Sequence, residues 1–351
     1  MDGRQRFLTA LERDMPDRAP LFLRELTLPL DIMGYSTPEV CSGSYDSDKS
    51  ARAVISFNKR MGQDAVVGCI HHLGMDVEPL GGEVMYPEYG IPSVVRHPFE
   101  DATKEMCLPD MSRWQYPAVI KSYRMVSELL PHVAIVCNIE GALTKAALLR
   151  GQELLIMDLL CEPDYIRSLS RFSTEMSLCF IEAVCESADP DCIFVAAATD
   201  NPDLLGLDPV MTFTLPELKT LRVCASRMGI PTVFHPHGDL GSVRNNEFLE
   251  GVISTGVAGI QFAEMNDVPA LRSAVGERVS LLGGIDAFST LLLGPKERII
   301  VETDRFLRLF HPFRGYVFMC SCSLHRGIPL ENVETVTETL RNFDVGNVIP
   351  Q

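Results

Sequence analysis

The stretch VFHPHGDL, residues 233–240, sets two histidines two positions apart at the end of an apolar run. On an extended strand, positions i and i+2 share a face, so His235 and His237 point the same way with their imidazoles a few ångströms apart. Such a pair can chelate a metal, bond the ends of neighbouring strands, or receive an anionic substrate. Further metal-capable groups close later apolar runs: Glu264 in GIQFAE, and Cys320 or Cys322 in YVFMCSCS. Zinc accepts imidazole nitrogen, thiolate sulfur and carboxylate oxygen in a tetrahedron, and three protein ligands leave one position open for substrate.

Eight short β-branched or apolar runs, bounded by Gly, Pro or Asp, can position these groups: 19–26, 64–71, 132–140, 191–199, 231–238, 259–264, 279–286 and 316–323. Between them, segments such as 208–229 and 295–310 repeat apolar residues at three- and four-residue intervals, as helices do. Strand and helix alternating eight times predicts a (β/α)8 TIM barrel, because parallel neighbours need a crossover and a helix is the usual one. Residues 72–131 are too long for one crossover and read as an insert after strand 2, with LGGEVMYPEYGIPSVVRHP (80–98) as an extra hairpin and a candidate lid. No repeat, low-complexity tract or linker divides the chain, so residues 1–351 read as one domain.

Polar side chains inside strands buried on both faces are costly unless partnered. Here they gather at one end of each run: Arg24 and Glu25, His71 and His72, Asn138 and Glu140, Thr199 and Asp200, the two histidines, Glu264, Asp286, and the two cysteines. Barrel enzymes build their sites at that rim, which makes His71, Glu140 and Asp200 candidate catalytic groups. Asp200 in TDNP also reads as a turn residue, and Asp286 in GGID as a helix cap. Neither GxGxxG nor GxxxxGK[ST] occurs, so no nucleotide motif is present.

The composition narrows the partners. With 47 acidic against 31 basic residues, the net charge of −16 argues against a nucleic acid and lends nothing to an anionic membrane surface. No run approaches the roughly 18 apolar residues that span a bilayer, and the first residues lack the apolar core of a signal peptide. A cytoplasmic location is expected. Eleven cysteines without regular spacing, most of them inside apolar runs, read as buried thiols rather than as a disulfide framework.

The opening RQRFLTALERDMPDRAPLF, the segment GALTKAALLRGQELLIMDLLCEPDYIRSL, the strand-plus-turn VFHPHGDL, the run LLGGID with LLLGPKERI, and the ending CSLHRGIPLENVETVTETL together resemble the uroporphyrinogen decarboxylase superfamily. Within it the chain is more similar to the methylcobamide:coenzyme M methyltransferases and related corrinoid-dependent enzymes. The resemblance implies a (β/α)8 barrel with zinc held by an H-x-C motif after strand 5 and by a distant cysteine before P-L-E-N. His235 matches the family histidine, and Cys322 matches the distant cysteine by its spacing to PLEN at 329–332. His237 stands where the family has its first cysteine, and Glu264 where a carboxylate can serve as fourth ligand. Implied with these are a corrinoid supplied by a partner protein, a small-molecule substrate such as a thiol or methyl ether, and a possible homodimer. The decarboxylase segment M-R-Q-A-G-R is replaced here by LRELTLPL, which leaves few cations for a porphyrinogen's carboxylates. A decarboxylase-like lyase acting on a carboxylate substrate, or a non-catalytic corrinoid- or metal-handling barrel, are the alternatives.

Overall fold

The structure is a computed structural model that describes residues 1–346. Its centre is a curled, parallel, TIM-barrel-like sheet of seven strands. In chain order these are β1 (Ala65–Val67), β4 (Ala134–Glu140), β5 (Cys192–Ala197), β6 (Thr232–Pro236), β7 (Gly259–Gln261), β8 (Ser280–Gly283) and β9 (Tyr316–Phe318), while β2 (Glu83–Met85) and β3 (Ser93–Arg96) form a separate antiparallel pair. Neighbours in the sheet follow sequence order, with registers such as Asn138 opposite Phe194 and Ala196 opposite His235. Every residue of the seven central strands is buried, as expected where helices cover the sheet and side chains fill its interior.

The sequence predicts strands of up to nine residues, yet β1, β7 and β9 have three each among the described residues. The first predicted strand, 19–26, is corrected most. Residues Pro20–Leu26 lie along β9 and its continuation, with Leu21 bridging Phe318 and Glu25 bridging Leu324 in parallel, but they form no continuous strand. Arg24 interrupts them with φ 47°, a left-handed conformation that is unusual for a residue with a side chain. Toward β1 the ladder is replaced largely by side chains. The Asp64 carboxylate accepts from the Leu21 amide at 2.8 Å and Gln63 Oε1 from the Leu23 amide at 2.8 Å. Arg6 and Arg18 neutralise Asp64 at 2.6 and 2.9 Å. Propensity could not reveal this, because the pairing is made by groups distant in sequence.

Between β1 and β4 the chain holds the β2–β3 hairpin and the helix Tyr116–Leu129. The hairpin is tied down by Tyr86, whose hydroxyl donates to Glu78 at 2.9 Å and whose ring meets His72 edge-on at 5.5 Å. Three helices follow β4: Ala142–Arg150, Gln152–Cys161 and Pro163–Ala188. No helix among the described residues is long and apolar enough to cross a membrane.

Glu25 is fully buried with no ion-pair partner among the described residues, and burial pushes its carboxyl up to about 8. The unfolded chain ionises this group near 4.5. Its contribution to stability is therefore fully present below about pH 4.5, drains by about 1.4 kcal/mol per unit as pH rises, and is gone above about pH 8. Denaturant unfolding of Glu25→Gln across this range should give a flatter profile than the native chain, the two diverging by about 5 kcal/mol at the alkaline end. Parallel profiles would contradict it.

Candidate metal centre

β6 carries His235 as its penultimate residue, and the chain leaves the sheet at His237. The two rings lie 4.9 Å apart, with Nε2 of one 3.2 Å from Nε2 of the other. Two nitrogen lone pairs at that distance repel unless a proton or a cation lies between them. Cys322, four residues beyond the end of β9, completes the group: one donor atom each from His235, His237 and Cys322 lie within 4.8 Å of one another. Convergence of β6 with the segment after β9 is a product of the sheet's curl, since β7 and β8 separate them in strand order.

The electrostatics favour the metal-binding forms. Burial, the neighbouring His237 and Arg24 hold His235 well below the ordinary imidazole range, so its ring is neutral. Burial works against a Cys322 thiolate, but the His237 ring, the Arg24 charge and Ser323 outweigh it and bring the thiol down to about 7. The donor set is thus two imidazoles, that of His235 neutral, and a readily formed thiolate, a combination that zinc accepts and that leaves a fourth position open. Cys320 contributes nothing to it: burial pushes its thiol up to about 12, and its carbonyl is taken by Gln261 at 2.8 Å. Glu264 is also left out. The chain turns after Ala263, and the exposed Glu264 side chain lines a surface groove with Asn266, Arg305 and Phe306.

Arg24 links this group to a second one. Its guanidinium donates from Nε to Asn138 at 3.0 Å and lies 4.6 Å above the Phe194 ring, and no carboxylate among the described residues bonds to it. Burial lowers it to about 10, with Cys322 and Glu140 acting in the opposite sense, so it stays charged at neutral pH. Replacing Arg24 with leucine should move Cys322 thiolate formation from about pH 7 to higher pH. Site-resolved alkylation of metal-free protein checks this, and an unchanged midpoint would refute the coupling.

The candidate catalytic groups separate by environment. His71 and Glu140 meet at 2.6 Å, both buried, past the ends of β1 and at the end of β4. Glu140 lies 3.8 Å from Lys145, whose ammonium bonds Asp76 at 2.5 Å, and Tyr116 donates to the same carboxylate at 2.8 Å. Burial is outweighed by His71 and Lys145, which hold Glu140 below the ordinary carboxylate range. His72 faces away, onto Gln115 at 3.1 Å. Asp200 accepts from the amides of Leu143 and Thr144 and from the hydroxyls of Thr144 and Thr214, at 2.8–3.3 Å. It thereby caps the helix Ala142–Arg150 from outside, and Gly141 allows the approach: a Cβ there would meet the Asp200 carboxylate at 2.9 Å. Asp286 caps the turn that follows β8.

Sequence reasoning passed over Lys145, Asp76 and His325. Lys145 had a legible signal, a lone cation in the apolar run GALTKAALL, which can be buried only against an anion. His325, between Thr27 at 3.1 Å and Ser323 at 2.9 Å, had none.

The chain is 26% identical over 342 residues to the methylcobamide:CoM methyltransferase MtaA of Methanosarcina barkeri, covering 94% of this chain and 95% of that protein. A uroporphyrinogen decarboxylase of Coxiella burnetii is 28% identical over 104 residues, 30% of this chain and 28% of that one. Among solved structures, a methyltransferase from Methanosarcina mazei superposes with a TM-score of 0.85 at 24% identity, over 97% of this chain and 98% of that one, and so shares the fold. The uroporphyrinogen decarboxylase (URO-D) family matches residues 2–343, and with nearly the whole chain inside that match the protein belongs to this family.

Proposed function

We propose that the protein is a zinc-dependent methyltransferase that moves a methyl group between a corrinoid, presented by a partner protein, and a small substrate such as a thiol or methyl ether. The observation that carries this reading is the convergence of His235, His237 and Cys322. Similarity to the Methanosarcina barkeri methylcobamide:CoM methyltransferase over 94% of this chain supports it, whereas the Coxiella burnetii decarboxylase aligns over 30%. In this reading Pro20–Leu26 completes a closed eight-stranded barrel, with the site at the carboxyl-end rim.

His235 and His237 present imidazole nitrogens, and Cys322 presents a thiol whose ionisation the His237 ring and the Arg24 charge favour. Zinc bound by them supplies Lewis acidity toward the substrate's sulfur or oxygen. The imidazole of His237, where the family has a thiolate, leaves this donor set one negative charge short of two thiolates and one imidazole. That difference favours activation of a weaker, oxygen-type donor. The buried walls around Arg24, Phe194 and Asn138 keep water from the reacting groups and hold the guanidinium ready for an anionic part of the substrate.

Elemental analysis of the purified chain should find about one zinc per polypeptide. The loaded protein should then exchange methyl groups between free methylcobalamin and small thiols, or between cob(I)alamin and methoxyarenes, followed by the corrinoid's visible spectrum. Carbon dioxide release from a carboxylate substrate without metal would support the lyase instead, and stoichiometric zinc without turnover would support a metal-handling barrel.

A further inference from the structure

We propose that His71 exchanges the proton of the substrate's reacting heteroatom, with Glu140 orienting its ring and Lys145 and Asp76 acting as positioning residues. This rests on the methyl-transfer reading and adds to it a proton path separate from the metal ligands. The imidazole is committed on one side only. Nε2 bonds the Glu140 carboxylate at 2.6 Å, while Nδ1 is buried and has no partner among the described residues. A buried imidazole with a purely structural role satisfies both nitrogens, so a bare one is costly unless a ligand meets it.

His72 also leaves Nδ1 bare, but its other nitrogen rests on the Gln115 amide and burial lowers it to about 4, so it has no means of holding a proton near neutrality. His71 instead rests on the Glu140 carboxylate at 2.6 Å, which fixes the ring and leaves Nδ1 as its uncommitted nitrogen, the arrangement of a histidine oriented by a carboxylate in hydrolases. Glu140 is itself fixed: its second oxygen faces Lys145, whose ammonium bonds Asp76, and Asp76 accepts in turn from the Tyr116 hydroxyl.

The dyad belongs to the metal-donor rim. Asn138 and Glu140 share a face of β4, Asn138 holds Arg24, and the Arg24 charge acts on both Cys322 and Glu140. The charged and titratable groups around His71 are Glu140, with Lys145 behind it, His325 from beyond β9, and His72 and Asp76 in its own loop, while Arg24 from the Pro20–Leu26 segment acts on Glu140 and His325. For a thiol or hydroxyl R–XH the balanced step is R–XH + CH3–Co(III) → R–X–CH3 + Co(I) + H+. The X–H proton passes to Nδ1, the pair left on X forms the X–C bond, and the C–Co bond breaks with its pair on cobalt. In the reverse direction Nδ1 returns the proton to the departing oxygen or sulfur.

The test uses the zinc-loaded full chain, free methylcob(III)alamin, and small thiols graded in acidity from 2-mercaptoethanol to thiophenol. His71→Asn, whose amide still donates toward Glu140, should remain folded and keep its zinc, and lose about 10²- to 10⁴-fold in kcat with the least acidic thiol. The deficit should shrink as the thiol becomes acidic enough to shed its proton unaided, and the pH dependence of kcat should flatten. Glu140→Gln, a near-isosteric change, should show the same acidity-dependent deficit at smaller size. Undiminished turnover in His71→Asn, or a loss equal for every thiol, would overturn the proton role and leave the metal reading standing. Failure of the native chain to move methyl groups to any thiol, or from 2-methoxyphenol to cob(I)alamin, would end the methyl-transfer reading and this inference with it.

Discussion

Replacing Cys322 with alanine should take bound zinc from about one per chain to below about a tenth, and methyl transfer down by about a thousandfold or more. The size of the effect follows from the donor count. Among the described residues three groups converge, and Cys322 supplies the one that ionises to an anion, so its loss leaves two imidazoles, 3.2 Å apart, to hold a divalent ion. Folding should survive, because Cys322 is only partly buried and lies in irregular chain beyond β9. The complementary change, His237→Cys, rebuilds the family's H-x-C motif and should tighten zinc by roughly tenfold or more by adding a second soft thiolate. Equilibrium competition with a chromogenic chelator measures both. Full zinc content in Cys322→Ala would remove this sulfur from the proposed centre.

The largest loss of stability should come from a residue that touches no metal donor. Lys145→Met leaves the buried Asp76 and Glu140 carboxylates without the ammonium between them, and removing one member of such a buried set costs about 3–5 kcal/mol. Urea unfolding should show that loss at neutral pH and a smaller one in acid, where protonation removes the unpaired charge. Asp76→Asn in the same background should recover part of it, since it deletes one of the two stranded charges. A variant as stable as the native chain would mean that water, rather than Lys145, neutralises the cluster.

The signals that could be read from the chain share one physical property: they depend on local periodicity. Alternating side chains put His235 and His237 on one side of a strand whatever the rest of the molecule does, and runs such as AIVCNIE are buried on both faces because the helices between them leave the sheet no exposed face. The same locality made the eight apolar runs visible while overstating their lengths. A run does not show where its partner stops, and 19–26 pairs largely through Asp64 and Gln63 side chains.

The HxH pair, the parallel α/β organisation and the polar residues gathered at strand ends were thus determined by the sequence itself, through the periods of strand and helix. Only the tertiary structure decided which distant groups complete the site. The sheet's curl brings Cys322 to the histidines, a turn sends Glu264 to the surface, the left-handed backbone at Arg24 accompanies its burial over Phe194, and a helix delivers Lys145 to Asp76. These contacts join residues tens to hundreds of positions apart. Their energies come from burial and charge pairing in a shared interior, which no local pattern encodes.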